Sequence, residues 1–516
     1  GIALDAASRG LSVILIEKSD FANGTSSKST KLIHGGLRYL KNFEIGLVRE
    51  VGRERATVHK VAPHLVVPNK MLLPFFENGT FGPVGTSIGL WVYDKLANVK
   101  GNDQRQMLSR EKTISKEPLL KKEGLKGAGY YAEYRADDAR LTIENIKTAI
   151  DHGAVCLNYL KAEKFLYNDS GKISGIQCSD QLAEKSLDIQ ATYVVNATGP
   201  WTDILRKKDD GSALEKLFLS KGVHIVFPKE RFPLNQAIYF DVEDGRMIFA
   251  IPHHRCTYVG TTDTKFDGNI DDIRVTKDEA AYLLQATNKM FPSLDLTMTD
   301  IESSWAGLRP LIFKGGKSAG ELSRKDEIFI SENDLITITG GKLTGYRKMA
   351  EDVVDLVTRK LKKHTGKVFK EVNTDKILLT GGPFRSPQEL AEYKTMIANQ
   401  IQDRGLDGFL TEYFLENYGR QCDQILEKAH SFDDINPTDK LVRAEVWFAI
   451  HFELAHTPLD FFSNRTGRLN YDCPGISKIK SLVISEFASW FNWDDQFTTK
   501  AEKELDQAMK IMVEFK

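Results

Sequence analysis

The sequence predicts a protein of the α/β plus α+β class: an α/β ligand-binding region, interleaved with a block of mixed and antiparallel strands, then a mostly helical C-terminal domain. Three observations predict it. Residues 2–17 read as helix, short apolar strand and acidic residue. From about Ser220 four apolar runs follow one another at hairpin spacing: Gly222–Phe227, Ala237–Val242, Arg246–Ile251 and Thr257–Gly260. Beyond about Asp375 only helix signals remain.

Taken in order, Ala3, Ala6 and Ala7 give the first helix a small-residue face, and Gly10 is a natural stop. Ser12–Ile16 is almost wholly apolar, as expected of a buried parallel strand, with Glu17 at its C-terminal end. Helix, strand and acidic residue form the second half of a dinucleotide-binding βαβ unit, with Glu17 placed for a ribose hydroxyl. Taken alone, a strand-end Glu is an ordinary surface carboxylate. The first strand and the Gly-x-Gly-x-x-Gly turn are not in the sequence, and Gly1 would lie just beyond that turn. The expectation is a chain that lacks its true N-terminus.

Thr25–Leu40 (Thr-Ser-Ser-Lys-Ser-Thr-Lys-Leu-Ile-His-Gly-Gly-Leu-Arg-Tyr-Leu) is poor helix and poor strand material. Its hydroxyls, backbone N–H groups and glycine pair suit an anionic, planar ligand; the alternative is a polar surface loop. Glu44–Val61 reads as a charged helix with Ile45, Val48, Val51 and Val58 on its apolar side. Met71–Phe76 and Ile88–Tyr93 are apolar, with Lys70, Lys95 and Lys100 nearby. They read as core, or as a surface that dips into a membrane. Core is favoured, because the period gives no clean amphipathic helix.

Asp137 or Asp138 caps a helix carrying Leu141, Ile143, Ile146 and Ile150, which Gly153 closes. Val155–Leu157 is a short strand. Lys161–Tyr167 and Lys172–Cys178 flank a hairpin signal at Asn168–Gly171, and Ala191–Val195 is a further strand. Glu243-Asp244-Gly245 turns a hairpin, and Thr276-Lys277-Asp278-Glu279 is a capping box for a helix through Met290. His224 and Arg309 are the polar candidates of this block; a lone strand His is usually structural, and Arg309 reads equally as an ion-pair residue. Strand Leu335–Thr339, then Gly340-Gly341-Lys342, opens a helix whose N-terminus can receive an anion. A plain linker with a solvated Lys is the alternative. Farther on, capping boxes begin at Ser386 and Thr499. Helices are expected over Thr411–Tyr418, Asp439–Ala455, Lys478–Phe491 and Thr499–Phe515, with His451 and His456 structural.

Composition narrows the function classes. The 516 residues suffice for two or three domains, and 41% hydrophobic content for real cores. Seventy basic against 71 acidic residues argue against a nucleic-acid binder. Cys156, Cys178, Cys256, Cys422 and Cys473 show no metal or disulfide spacing and fit a reducing cytoplasm, so no metal is expected. No signal peptide, membrane span or internal repeat is visible.

Several long motifs now resemble one family in the same order: Ala3–Val13, Gly24–Leu40, Val195–Trp201, Gly260–Asp263, Gly307–Leu311 and Gly340–Glu351. The chain resembles the FAD-dependent glycerol-3-phosphate dehydrogenases, a family that includes the glycerol-3-phosphate oxidases. The resemblance implies a Rossmann-like FAD-binding domain, a mixed/antiparallel-sheet substrate domain and a helical C-terminal domain. Residues 1–374 would form the oxidoreductase region, with FAD-binding segments about 1–60, 125–215 and 325–365 and substrate segments about 61–124 and 216–324. Residues 375–516 would form the helical domain.

By the same resemblance FAD is held by Gly1, Glu17, Lys18, Thr25, Ser26, Ser27, Lys31, Leu32, His34, Gly35, Gly36, Ala162, Thr198, Gly199, Gly341, Lys342, Leu343 and Thr344. The helix after Gly341 would face the pyrimidine edge of the flavin. Substrate would meet Arg38, Tyr39, His224, Arg309 and Lys342. A phosphate-bearing substrate calls for such cations. His34, Arg309 and Lys342 are the catalytic candidates; His34 is first choice for proton acceptor and His224 second. The implied reaction is oxidation of sn-glycerol 3-phosphate to dihydroxyacetone phosphate, with electrons passed to a membrane quinone in glycerol catabolism. The short interval Ile312–Thr339, where family oxidases often carry an insertion, favours the quinone. The alternatives are a dioxygen-dependent oxidase releasing peroxide, another flavin amine or hydroxy-acid oxidoreductase, and an inactive scaffold without FAD. The implied setting is cytoplasmic, peripheral on the inner face of the cell membrane, as a homodimer.

Overall fold

A computed structural model describes residues 1–33, 45–77, 79, 85–87, 90, 104–313, 325–433 and 435–516. Helix Ile2–Ser8 buries Ala3, Ala6 and Ala7 against helices Asp138–Asp151 and Tyr346–Thr365. Strand β1 (Ile14–Ile16) begins two residues later than expected. It pairs in parallel with β6 (Val155–Leu157), Ile14 opposite Val155. The pair is less buried than its apolar sequence predicts: Ile14 is 48% and Val155 49% exposed. Among the described residues the two strands pair only with each other, so one edge of each carries no neighbour.

A ten-stranded sheet collects segments from residue 32 to residue 312. Its strands are β2 (Leu32–Ile33), β3 (Val67–Phe76), β4 (Gln106–Ser109), β5 (Leu125–Arg135), β11 (Leu217–Pro228), β12 (Ala237–Asp241), β13 (Met247–His253), β14 (Cys256–Gly260), β15 (Thr264–Lys265) and β16 (Ser303–Ile312). The order is β15-β11-β14-β13-β12-β3-β5-β2, with β16 also on β11 and β4 also on β5. All pairs are antiparallel except β12 with β3. The expected hairpin turn at Glu243–Gly245 is present and joins β12 to β13, with Asp241 opposite Met247. Helix Lys277–Met290 opens with the expected Thr276/Glu279 capping box and covers a core of Phe227, Phe232, Phe240 and Phe291.

A second antiparallel sheet joins β7 (Leu160–Tyr167), β8 (Ile173–Asp180) and β9 (Ser186–Gln190). β9 carries no apolar alternation and is mostly exposed, which is why the sequence pattern passes over it. The strand expected at Ala191–Val195 shrinks to β10 (Val195–Asn196), parallel to β18 (Ile336–Gly340), which pairs with β17 (Asp326–Ile330).

The C-terminal region is helical, with long helices at Pro387–Asp403, Phe409–Tyr418, Pro437–Glu453, Cys473–Phe491 and Asp495–Val513. The capping box expected at Thr499 is not one. Asp494 caps that helix, and the Thr499 hydroxyl donates to the Asp495 carbonyl inside it. At Ser386 the cap is half of a box: Ser386 Oγ accepts from Glu389 N, but Glu389 turns to the N–H of Arg385. Met71–Phe75 lie in the core, so that half of the membrane alternative fails. Ile88–Tyr93 lies outside the described residues apart from buried Leu90. Among the described residues no helix is long and apolar enough to cross a membrane.

Buried ion pairs join the C-terminal helices to the rest. Arg140 reaches Glu453 through two hydrogen bonds of 2.8 and 2.9 Å, and Lys147 donates to Glu453 at 3.1 Å and Glu144 at 3.2 Å. Arg135 grips Glu416 at 2.6 and 2.9 Å. Burial pushes the Glu453 carboxyl up, but Arg140 and Lys147 outweigh it and hold it at about 2. Removing one partner of such a set leaves uncompensated buried charge. Glu453→Ala is therefore expected to destabilise by about 3–5 kcal/mol, read as a lowered midpoint of urea unfolding; an unchanged midpoint would contradict this account of the junction.

Candidate functional site

The hydroxyl-rich segment lies on β16. Thr25 Oγ1 donates to the Leu308 carbonyl at 2.6 Å, and Trp305 Nε1 donates to the Ser29 carbonyl at 3.1 Å. Thr25–Ser27 form one tight turn. Lys31 then takes a left-handed backbone, φ +59°, which costs a non-glycine residue energy and needs a reason. The reason is its ammonium. It donates to the Ser27 carbonyl at 2.8 Å, contacts Asp138 directly and lies 3.5 Å from Asp137. Burial raises both carboxyls; Lys31 outweighs it at Asp137 but not at Asp138, where the Asp137 charge adds to burial. Asp138 also accepts from Ser29 N at 3.0 Å. The helix cap predicted at Asp137 is present, but its second task, holding Lys31, escaped sequence reasoning. The signal was there: one cap needs one Asp, and the sequence has two.

One face of the large sheet carries the polar candidates. His224 sits opposite Trp305 across β11 and β16, and its ring stacks on the indole at 4.8 Å. Its Nε2 is 3.0 Å from Thr30 Oγ1. Its Nδ1 is buried without a partner among the described residues. Gly260 faces it, where a Cβ would come within 2.1 Å of the imidazole. Arg309 fills the next slot. Its Nη2 donates to Thr261 Oγ1 at 2.9 Å and its Nη1 to the Thr262 carbonyl at 3.2 Å, with Asp263 at 3.4 Å. The Ser220 hydroxyl donates to the same Asp263 carboxylate. A Cβ on Gly222 would lie 2.3 Å from Nη2, so only glycine leaves room for the guanidinium. The result is a held, planar, partly exposed cation, suited to bidentate binding of an oxyanion.

After β18, Gly340 and Gly341 turn with φ of +78° and +75°. Lys342 precedes a tight turn, Leu343–Gly345, and the long helix starts only at Tyr346. The helix N-terminus expected at Lys342 thus lies several residues farther on, because two left-handed glycines cannot enter a right-handed helix directly. Thr344 is buried. Gly1 packs near the Tyr346 ring.

At the other end, Glu17 Oε1 accepts from Ser19 N at 3.1 Å, and burial raises its carboxyl. Lys18 lies 4.3 Å over the Trp201 ring and pairs with Asp271 at 2.5 Å. Thr198 Oγ1 donates to Asn196 Oδ1 at 2.8 Å, and Gly199, φ +57°, faces open space. Ala162 lies within β7. The structure thus brings Lys31, His224 and Arg309 together at the large sheet, while Glu17 and Lys18 follow β1, with Lys18 over the Trp201 ring. His34, Gly35, Gly36, Arg38 and Tyr39 lie outside the described residues. Lys28 was not singled out, yet burial pulls its ammonium down to about 8 beside Lys31. His253, His254 and Glu416 bring ligand atoms within 4.8 Å of one another, but Arg135 already bonds Glu416 and His253 there, so a guanidinium occupies that corner.

The donor set fits a long, flat, anionic ligand: a half-buried carboxylate at a strand end, hydroxyls on a tight turn, and glycines that leave space at Gly199 and Gly345. The comparisons agree. A family model described as FAD dependent oxidoreductase matches residues 1–347, and one described as the C-terminal domain of alpha-glycerophosphate oxidase matches residues 372–498. The chain is 48% identical to an aerobic glycerol-3-phosphate dehydrogenase of Bacillus subtilis, over 99% of this chain and 92% of the relative. To one of Staphylococcus aureus it is 45% identical over the same shares. A solved glycerol-3-phosphate dehydrogenase from Bacillus halodurans, complexed with FAD, is 41% identical, with a TM-score of 0.84 over 99% of this chain and 92% of that one. An L-alpha-glycerophosphate oxidase from Mycoplasma pneumoniae shares the fold over 72% of this chain and 92% of that one, at 18% identity and a TM-score of 0.54.

Burial, then the charges of Arg309 and Lys31, holds the His224 imidazole well below its ordinary value. The unfolded chain takes up that proton near pH 6.5 or so, and the folded chain does not. The unfolded state then binds more protons, so this group withdraws stability as pH falls below that value. The stability of the parent relative to His224→Gln is expected to decline between pH 7 and pH 5 in urea unfolding. A pH-independent difference would contradict a neutral, buried imidazole.

Proposed function

The chain belongs to the FAD-dependent oxidoreductase family, and from that premise we propose that it oxidises sn-glycerol 3-phosphate to dihydroxyacetone phosphate and passes the electrons to a membrane quinone. The observation that carries the reading is Arg309, fixed by Thr261, Thr262 and Asp263 in the space left by Gly222, beside the Thr25–Lys31 segment. Identity of 48% to an aerobic glycerol-3-phosphate dehydrogenase, over 99% of this chain and 92% of the relative, supports the substrate. FAD, when bound, supplies the hydride acceptor.

The chain's own residues bind and orient. Arg309, Lys342 and Arg38 hold the phosphate and the developing negative charge of the substrate, and Tyr39 lines the pocket. His34 takes the hydroxyl proton. His224 orients: with its ring stacked on Trp305 and Nε2 on Thr30, it keeps the segment ahead of His34 against the sheet. Glu17, Lys18, Gly1 and Ala162 would hold FAD toward its adenosine portion. Thr25, Ser26, Ser27, Lys31, Leu32, Gly35 and Gly36 would hold it too, as would Thr198, Gly199, Gly341, Leu343 and Thr344.

On this reading residues 1–374 carry catalysis and 375–516 form the helical domain. The protein works in the cytoplasm as a homodimer, peripheral on the inner membrane face where quinone resides. The short interval Ile312–Thr339 favours quinone over dioxygen. Side-by-side assays test this: turnover with a quinone analogue and little with oxygen alone is expected, and the reverse would make the protein an oxidase.

Arg309→Ala removes the held guanidinium and leaves Asp263 facing the substrate phosphate. Loss of one partner of a desolvated charge pair costs about 2–5 kcal/mol, so kcat/KM for glycerol 3-phosphate is expected to fall by about thirtyfold or more. An unchanged kcat/KM would contradict Arg309 as a group that holds the substrate phosphate.

A further inference from the structure

One segment of the C-terminal helical region, Asn464–Tyr471, reaches two points of the first region. At one end Arg465, fully buried, donates from both terminal nitrogens to Asp20 at 2.8 Å each. Asn464 Nδ2 donates to the same carboxylate at 2.8 Å. Asn158 Nδ2 adds a bond of 3.2 Å and ties the group to the Leu454 carbonyl. Asp20 follows directly on the Glu17–Ser19 turn, in which Ser19 N caps the Glu17 carboxylate. At the other end the Tyr471 hydroxyl donates to Asp137 Oδ2 at 2.9 Å. That oxygen is the one 3.5 Å from the Lys31 ammonium. The Tyr471 ring packs edge-on to Trp305, and Asn470 accepts the Ser303 hydroxyl, so the same segment also grips the first turn of β16.

A segment needed only to fasten two domains could do so through any surface pair. This one spends buried bonds to carboxylates on two points: Asp20, three residues after Glu17, and Asp137, whose Oδ2 lies 3.5 Å from the Lys31 ammonium. We propose that Asn464–Tyr471 is a positioning unit for the cofactor, setting the Glu17 turn through Arg465–Asp20 and the Lys31 ammonium through Tyr471–Asp137. The proposal rests on the reading that these two turns hold FAD. Arg465 and Tyr471 are positioning residues that act through Asp20 and Asp137. The helical region thereby contributes to cofactor retention and to the electrostatics at the flavin.

Tyr471→Phe deletes one oxygen and keeps the ring packing. Arg465→Lys keeps the charge and deletes the fork. Both are made in the full chain and checked for native circular dichroism. FAD affinity is read by flavin fluorescence on titration of the stripped protein, and the visible spectrum and midpoint potential of bound flavin are read beside it. A hydrogen bond to a charged group at each point predicts FAD binding weakened about tenfold in each variant, with a displaced midpoint potential in Tyr471→Phe. Lys480→Ala, which loses only exposed ion pairs within the helical region, is expected to bind FAD like the parent. Parent-like affinity and potential in both folded variants would overturn the proposal and reduce the segment to domain fastening. Failure of the parent itself to take up FAD would overturn the functional reading, and this inference with it.

Discussion

Glu453 is a carboxylate taken wholly out of water, and its environment fixes much of the molecule. Arg140 and Lys147 compensate it, and both stand on helix Asp138–Asp151. Buried charge tolerates little displacement, since each partner left unpaired costs several kcal/mol. Helix Pro437–Glu453 and helix Asp138–Asp151 are therefore locked to each other. The same helix begins at Asp137 and Asp138, which hold Lys31 in its left-handed turn. Buried polar contacts thus run from the C-terminal helices, through one helix of the first region, to the Thr25–Lys31 segment.

The large sheet supplies the other fixed surface. β11 presents His224 and β16 presents Trp305 and Arg309 on one face, with His224 opposite Trp305 and Arg309 four residues farther along β16. Glycines opposite His224 and Arg309 give each side chain its slot. Arg309 is thereby held by the sheet, and Lys31 by the helix. Cations anchored on two independent elements converge without having to hold one another against repulsion. That arrangement is suited to an anionic substrate beside an anionic reduced cofactor, where charge must be met by groups that do not move.

Much of this was legible. Apolar runs and turn residues located β11–β14, because these strands are buried along most of their length. The Thr276 cap was legible because its Glu279 lies three residues on and an apolar helix follows. Thr499 has the same spacing but sits one turn into a helix already capped by Asp494; a local pattern cannot say which of two caps the chain uses. β9 escaped because an exposed edge strand has no apolar period. The roles of Asp138, Asp263 and Tyr471 escaped for a different reason. Each acts on a residue more than 40 positions away, so only the fold reveals the pairing. Arg309 was recognised from its motif, but its holder Asp263, though within a quoted motif, carried no sign of being bound to it.

Reduction of a bound flavin by an anionic three-carbon alcohol is the central step of the proposed function. The most direct measurement is the visible spectrum of the purified protein before and after glycerol 3-phosphate is added without oxygen. Bleaching of a flavin band on addition is the predicted result. A flavin band that persists unchanged would keep the fold and contradict the substrate.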